Sequence, residues 1–350
     1  MKVWHRIYYK LITKQNVFRG YKEFLVGKSK KKDVIRFDEN KIQNLASLRK
    51  ALIFKTYRPQ GYSEFYVRDP KTRIIHKAQV VDRVVHHIVS DQLEEIFEPT
   101  FIYHSYACRK KKGTHRGVRT LQKMGMSVSR NNKRNCWILK CDIKKFFASM
   151  NHQVLLKILS RKIKDKDFLD LLSKIIDSFV SDRTLDMNNK KGVPIGNLTS
   201  QFFSNVYLNE LDQYVKNTLR VRHYIRYADD FVFLSEDREY LKSLVDPIRE
   251  FLKSELDLEL HPQKIIMRKF RSGVDFLGYV IFPTHILPRT KTRRRLLRKI
   301  RGKIYDFKKG KISEESLNQT VQSYFGFLVH ANAHKFKEEL QNLIWYWLTE

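Results

Sequence analysis

Near the middle of the chain, two short apolar runs, Tyr224-Ile225 and Phe231-Val232-Phe233-Leu234, flank Tyr227-Ala228-Asp229-Asp230. The pattern predicts strand, tight turn, strand, with two adjacent carboxylates presented at the turn. Another apolar stretch, Trp137-Ile138-Leu139-Lys140-Cys141, predicts a strand over 137–142 that ends on a third acid, Asp142. Elsewhere the apolar period lengthens to that of a helix. Val81, Val84, Val85, Ile88 and Val89 share a face between Val80 and Phe97. Leu198, Phe202 and Val206, with Tyr207, Leu211 and Val215, do the same between Gly196 and Leu219. Helices are also expected over Val154 to Leu172, over Leu241 to Leu256, and from about Lys291 onward. Residues 64–69 alternate weakly, Pro70-Lys71-Thr72-Arg73 reads as a turn, and Ile74-Ile75 resumes a strand. Residues 186–192 read as a loop and Phe276 to Ile281 as a further strand region. Strand, helices, hairpin and helix from 137 to 256 suit a split βαβ sheet in an α+β protein. Such a sheet would set Asp142 beside the hairpin turn.

Composition narrows the partner. Of 350 residues 42% are hydrophobic, enough for a packed core and two or three subdomains. Lys and Arg number 69 against 37 acids, a net charge of +32. That surplus repels itself unless a polyanion neutralises it, so a nucleic acid is the expected partner. A basic protein on a membrane surface is the bland alternative. No apolar run approaches the roughly 18 residues of a membrane span, and Met1-Lys2-Val3-Trp4-His5-Arg6 is no secretory signal. Three cysteines without a CxxC pair argue for reduced thiols and against structural zinc, which points to a cytoplasmic protein. His330 and His334 stand at helical spacing, but a metal there lacks a further ligand.

The candidate chemistry is metal-assisted. An isolated Asp-Asp pair usually means a polar turn; flanking strands and a third acid change that reading. Asp142, Asp229 and Asp230 on strand ends suit two hard Mg²⁺ ions, with Mn²⁺ as a substitute. Two metals stabilise both the attacking and the leaving oxygen of nucleotidyl transfer. Arg109, Lys110, Lys111, Lys112, Arg116 and Arg119 are candidates for gripping template phosphates. Lys291 to Lys303 holds eight basic residues in thirteen, Arg294 and Arg298 among them. An apolar stripe of Leu296, Leu297, Ile300, Ile304 and Phe307 runs along it, so one face would pack while the other meets a duplex.

Tyr227-Ala228-Asp229-Asp230 resembles the YxDD motif of reverse transcriptases, and Asp142-Ile143-Lys144-Lys145-Phe146-Phe147 resembles their first metal motif. Gly192 to Gln201 resembles the segment that meets template and incoming nucleotide. Lys71-Thr72-Arg73-Ile74-Ile75 resembles the fingers element, with Thr72 where proline is usual. Phe276-Leu277-Gly278-Tyr279 resembles the primer grip. The resemblance covers about residues 57 to 282. It implies a right-hand polymerase: a basic N-terminal extension (1–56), fingers (57–136), a palm with a ferredoxin-like split βαβ sheet (137–285, with a helical insertion at about 150–190) and a helical thumb (286–350). It implies metal ligation at Asp142, Ile143, Asp229 and Asp230. Lys71, Arg73, Ile195, Gly196, Gln201 and Lys264 fall at nucleotide-binding positions, and Phe147 where a bulky ring excludes a ribose 2′-hydroxyl. Tyr227 and residues 276–279 fall at primer and template positions. Lys264 is placed to protonate pyrophosphate, and no RNase H domain is expected after the thumb.

Ile195-Gly196-Asn197-Leu198-Thr199-Ser200-Gln201 is similar to the form found in diversity-generating retroelements, where other enzymes carry QGxxxSP. Ser105 to Arg109 and Lys112 to His115 also resemble that subfamily. It implies copying of a template-repeat RNA with misincorporation opposite adenine, a bacterial or phage source, and a small basic accessory variability protein. Ile195 in place of a glutamine removes an amide near the nucleotide, which would loosen base-pair selection. The rival readings are a retron or antiphage-defence reverse transcriptase, a non-catalytic RNA-binding maturation factor, and a viral RNA-copying polymerase, which Phe147 disfavours.

Overall fold

The computed structural model describes residues 2–68, 71–181 and 190–350. Asp69 and Pro70 of the expected strand and turn, and 186–189 of the expected loop, lie outside the described residues. Among the described residues nine strands form three antiparallel sheets. β1 (Tyr62–Val67) and β2 (Arg73–Ala78) make a hairpin. β3 (Trp137–Asp142), β4 (His223–Tyr227), β5 (Asp230–Ser235) and β6 (Ile266–Lys269) make a central sheet in the order β4-β5-β3-β6. β7 (Val274–Phe276), β8 (Tyr279–Ile281) and β9 (Ile286–Pro288) make the third.

The central sheet is covered on both faces, which is why its strands read as continuous apolar runs. Side chains alternate across it. Leu139, Cys141, Tyr224, Phe231 and Phe233 join the main core with residues of the Leu198–Gln213 and Val245–Leu256 helices. Ile138, Ile225, Val232 and Leu234 join a second cluster with Val118, Leu121 and Met124 of the Thr114–Val128 helix and Phe276 and Tyr279 of the third sheet.

Several expected helices are differently cut. Val80–Phe97 forms as read. The stretch from Val154 to Leu172 is instead two helices, His152–Lys162 and Lys166–Asp177, because Asp165 starts the second by accepting from the Phe168 N–H at 3.1 Å. Leu241 to Leu256 falls in Arg238–Ser243 and Val245–Leu256. Pro247 in the second helix would oppose the Ser243 carbonyl if the helix ran on. The helix expected from Gly196 starts at Leu198, since Gly196 sits at φ 106°, and it ends in a π-turn, Tyr214–Thr218. Phe276 to Ile281 is not one strand but a hairpin turn, with Leu277 (φ 52°) and Gly278 (φ 88°) both left-handed.

Described residues 2–56 hold four helices: Ile7–Leu11, Lys14–Leu25, Lys32–Glu39 and Lys41–Ile53. Their buried Leu11, Val17, Phe24, Val34, Leu48 and Leu52 belong to the main core, so the segment expected as an extension is built into the body. At the other end Thr290–Lys308, Glu314–Leu328 and His334–Thr349 pack round their own cluster, with Leu296, Ile300, Ile304, Leu317 and Leu340 inside. Among the described residues no helix is long and apolar enough to cross a membrane.

Candidate active site

The three acids meet at one end of the central sheet. Asp142 closes β3 and Asp230 opens β5, and the two are register partners. Asp229 occupies the two-residue turn between β4 and β5 beside Ala228, a non-glycine residue at φ 53°. A buried ion pair holds that turn. Arg226, fully buried on β4, binds Asp212 of the Leu198–Gln213 helix through Nε (2.8 Å) and Nη2 (2.6 Å). Its Nη1 reaches the Ala228 carbonyl at 3.2 Å, and the Tyr224 hydroxyl donates to Asp212 at 2.8 Å. Breaking such a pair strands a buried charge, so its partners are fixed.

Two lysines face the acids. Lys264, on the short Pro262–Lys264 turn, binds Asp142 Oδ1 at 2.7 Å; the same loop is pinned by the His261 N–H on the Asp142 carbonyl at 2.8 Å. Lys140 binds Asp230 Oδ2 at 2.9 Å. Burial pushes the Asp230 carboxyl up to about 6, against the pull of Lys140. Burial, then the Asp142 charge, also raises Asp229, against the opposing pull of Lys264 and Arg73. Asp230 Oδ1 is buried without a hydrogen-bond partner. Among the described residues no three His, Cys, Asp or Glu side chains are gathered as a metal cluster, since two of the acids turn to lysines. The donor set nevertheless fits a hard divalent cation: three carboxylates at one sheet end, two of them raised by burial, one with an orphaned oxygen.

The β1–β2 hairpin docks beside this centre. The His76 N–H donates to the Ile195 carbonyl at 3.1 Å, and Asn197 Nδ2 donates to the His76 carbonyl at 2.7 Å. Asn197 therefore spends its side chain on the hairpin and does not cap the helix behind it. A Cβ on Gly196 would meet Ile75 at 2.7 Å, so only glycine allows this approach. Arg73 opens β2 within electrostatic reach of Asp229, and Lys71 is exposed on the same hairpin. Phe147 is half-buried against Phe146, with its carbonyl accepting from the Val193 N–H at 2.8 Å. Gln201 is half-buried on the first turn of its helix, and Ile143 is buried behind Asp142.

The expected template and primer residues divide. Arg109 turns inward, with Nε and Nη2 on Glu98 and Nη1 on the Ile102 and Ser105 carbonyls. Lys110 pairs with Glu94 at 2.8 Å, and Lys112 donates to the Tyr103 carbonyl at 2.7 Å while lying over the Tyr103 ring. Lys111 is exposed. Arg116, Arg119 and Lys123 line a cavity of about 780 Å³ with Arg222 and His223. Tyr227 accepts from the Thr114 hydroxyl at 3.2 Å. Phe276 and Tyr279 are fully buried, and Leu277 and Gly278 at the turn between them are half-buried. Arg294 and Arg298 are exposed. Sequence reasoning missed Lys140, Asp212 and Arg226. The available signal was a cation inside each of two apolar strands, which demands a buried acid.

A sheet end carrying three acids thus stands beside a docked cationic hairpin and a half-buried ring. Residues 68–281 match the reverse transcriptase (RNA-dependent DNA polymerase) family, and the chain belongs to it. Its class of enzyme is RNA-directed DNA polymerase. Protein YkfC of Escherichia coli is 28% identical over 272 residues, 67% of this chain and 70% of YkfC. Group II intron-encoded protein LtrA of Lactococcus lactis is 22% identical across 70% of this chain and 50% of LtrA. The retron Ec83 reverse transcriptase of E. coli is 23% identical across 55% of this chain and 61% of its own length. The chain thus spans half to somewhat over two thirds of these relatives. An apo telomerase from Candida tropicalis, truncated of its C-terminal domain, superposes with a TM-score of 0.50 at 13% identity over 71% of this chain and 60% of that one. That likeness concerns the fold, which is consistent with a right-hand polymerase.

Proposed function

We propose that the protein copies a structured RNA into DNA from dNTPs, working on an RNA–DNA hybrid in the bacterial or phage-infected cytoplasm, as the polymerase of a diversity-generating retroelement. The observation that carries the polymerase reading is the meeting of Asp142, Asp229 and Asp230 at one sheet end. In this reading β1–β2 belongs to the fingers, the central sheet to the palm and the three C-terminal helices to the thumb. Asp142, Asp229, Asp230 and the Ile143 backbone would hold two Mg²⁺ ions. Bound there, the ions supply charge stabilisation for the attacking and leaving oxygens. Lys71 and Arg73 neutralise the triphosphate, and Arg does so in forked geometry. The Gly196 backbone lies against the nucleotide, flanked by Ile195 and Gln201. The Phe147 ring bars a 2′-hydroxyl and so selects dNTPs. Lys264, released from Asp142 when the site fills, donates a proton toward pyrophosphate. Arg116, Arg119 and Lys123 hold template phosphates, with the exposed Lys111 nearby. The Leu277–Gly278 turn and Tyr227 meet the primer strand; Arg294 and Arg298 meet the hybrid.

The diversity-generating subtype is supported by Ile195 to Gln201, and a small basic accessory protein follows from it. The retron relative favours a second reading, a retron or defence enzyme. One experiment separates them: sequencing of cDNA made by the purified protein on a defined RNA with Mg²⁺ and dNTPs, beside Asp229→Ala. Errors concentrated at template adenines, with no product from the variant, are expected. Faithful product overturns the diversification reading and leaves the retron type. Product undiminished in Asp229→Ala overturns the assignment of the site. Restoring glutamine at Ile195 should lower adenine errors; unchanged errors would remove Ile195 from the account.

A further inference from the structure

We infer that Lys140 is a positioning residue that ties the Asp230 carboxylate to the β7–β8 hairpin and, through it, to the C-terminal helices. The inference rests on the polymerase reading above. Lys140 precedes Asp142 by two residues on β3, so both project from the same face of the strand. Its side chain is only 19% exposed. The ammonium donates to Asp230 Oδ2 at 2.9 Å and to the Asp275 backbone carbonyl at 2.9 Å. An ammonium has three donors, so one lysine serves both partners at once.

Asp275 lies on β7 and passes the connection onward. Its carboxylate takes Arg289 Nε at 2.6 Å. The Arg289 N–H donates to the Gly278 carbonyl at 3.0 Å, tying the turn of the hairpin to the end of β9, and Arg289 directly precedes the Thr290–Lys308 helix. The same small sheet is fastened to the bundle twice more. The Tyr279 hydroxyl donates to the Phe327 carbonyl at 2.9 Å, and Ile286 and Asn332 exchange two bonds, Ile286 N–H to Asn332 Oδ1 (2.9 Å) and Asn332 N–H to the Ile286 carbonyl (2.7 Å). A polar chain thus runs from a central acid, through a nearly buried cation, to the part of the molecule that carries the Arg-rich helix.

The physical consequence is directional. With the hairpin seated, Lys140 is shared, and it fixes Oδ2 of Asp230 while leaving the buried Oδ1 unbonded. If the hairpin shifts, the ammonium loses the Asp275 carbonyl and must turn wholly to Asp230, since a nearly buried charge cannot stay underpartnered. Seating of the hairpin and its attached helices therefore sets how Asp230 is presented. A lysine that merely filled space would affect stability alone.

The test compares Lys140→Met, Lys140→Arg and Arg289→Gln in the full chain. Mn²⁺ binding to the free protein is read by electron paramagnetic resonance, primer extension by kcat and dNTP KM, and folding by Tm. Removing a competing cation should tighten Mn²⁺ binding several-fold in Lys140→Met. Loss of positioning should cut kcat by about tenfold or more with dNTP KM within about twofold. Lys140→Arg should recover part of kcat. Arg289→Gln should lower kcat about threefold alone and add nothing in the Lys140→Met background, because both act on one chain. Lys140→Met with unaltered kcat, or with Mn²⁺ binding no tighter, overturns the proposal, as do additive losses. If Lys140→Met does not fold, Lys140→Arg and Arg289→Gln carry the additivity test. If the wild type polymerises nothing, the polymerase reading fails, and the Mn²⁺ measurement alone decides whether Lys140 governs Asp230.

Discussion

Two basic segments of this chain are alike in composition and opposite in use. Arg109 to Lys112 turns much of its charge into the protein: Arg109 clasps Glu98, Lys110 meets Glu94, and Lys112 lies on Tyr103. The helix Thr290–Lys308 buries Leu296, Ile300 and Ile304 and leaves Arg294 and Arg298 exposed. The difference lies in what each segment has to pack with. The first is a loop with no apolar side of its own, and its basic side chains substitute for packing by satisfying loop carbonyls and the acids of the Val80–Phe97 helix and the turn after it. The second is packed by its apolar stripe, and Arg294 and Arg298 stand outside that stripe. A run of Lys and Arg is therefore no evidence of nucleic-acid contact until its carbonyl and carboxylate partners are known.

The strongest way to break the comparison is Arg109→Met. It removes bonds to Glu98 and two loop carbonyls from a side chain 6% exposed. A loss of about 3 kcal/mol is expected in chemical denaturation, with RNA affinity of the folded fraction unchanged. Reduced affinity at full stability would return Arg109 to the template surface.

Acid should also separate the two regions. His86 lies on the Val80–Phe97 helix, with burial holding its pKa down at about 3 and with Nδ1 lacking a hydrogen-bond partner. The fold keeps it neutral while the unfolded chain takes a proton below about 6.5. Its contribution is complete above that pH and is lost progressively from about 6.5 toward 3, because the unfolded state then binds more protons. About 2 kcal/mol should vanish between about pH 7 and 5, and His86→Leu should flatten that part of the profile. A wild-type profile level across this window would show that His86 is protonated in the fold.

The central sheet was legible because both of its faces are buried, so β3, β4 and β5 stand out as apolar runs ending on acids. Val80–Phe97 was legible because its stripe is long and unbroken. Helix breaks at Asp165 and Pro247 were not, since apolar spacing continues across them while a cap and a missing N–H decide locally. The hairpin at Leu277 was missed because a leucine seldom takes a left-handed backbone; packing of Phe276 and Tyr279 on either side imposes it. Within the candidate site, the meeting of Asp142 with Asp229 and Asp230 at one sheet end was legible in advance, whereas the pairing of Lys264 with Asp142 was not. Nor were Lys140 and the pair of Arg226 with Asp212, because their meaning depends on a partner far along the chain.

The smallest effect sharpens the other side of the comparison. Arg294→Gln with Arg298→Gln changes two exposed side chains on a helix whose stability comes from its apolar stripe. Stability should move by no more than about 0.5 kcal/mol. Affinity for an RNA–DNA hybrid should fall about tenfold at moderate salt, uniformly across sequences, since backbone phosphates carry no sequence. The slope of log affinity against log salt should lessen by about two, one condensed counterion for each lost phosphate contact. The same double substitution should leave the Arg109→Met loss unaltered, because the two segments fold by different means and their effects add. An unchanged salt slope would mean that the exposed face of this helix does not track the hybrid, and the charge surplus would then have to be spent along the cavity lined by Arg116, Arg119 and Lys123.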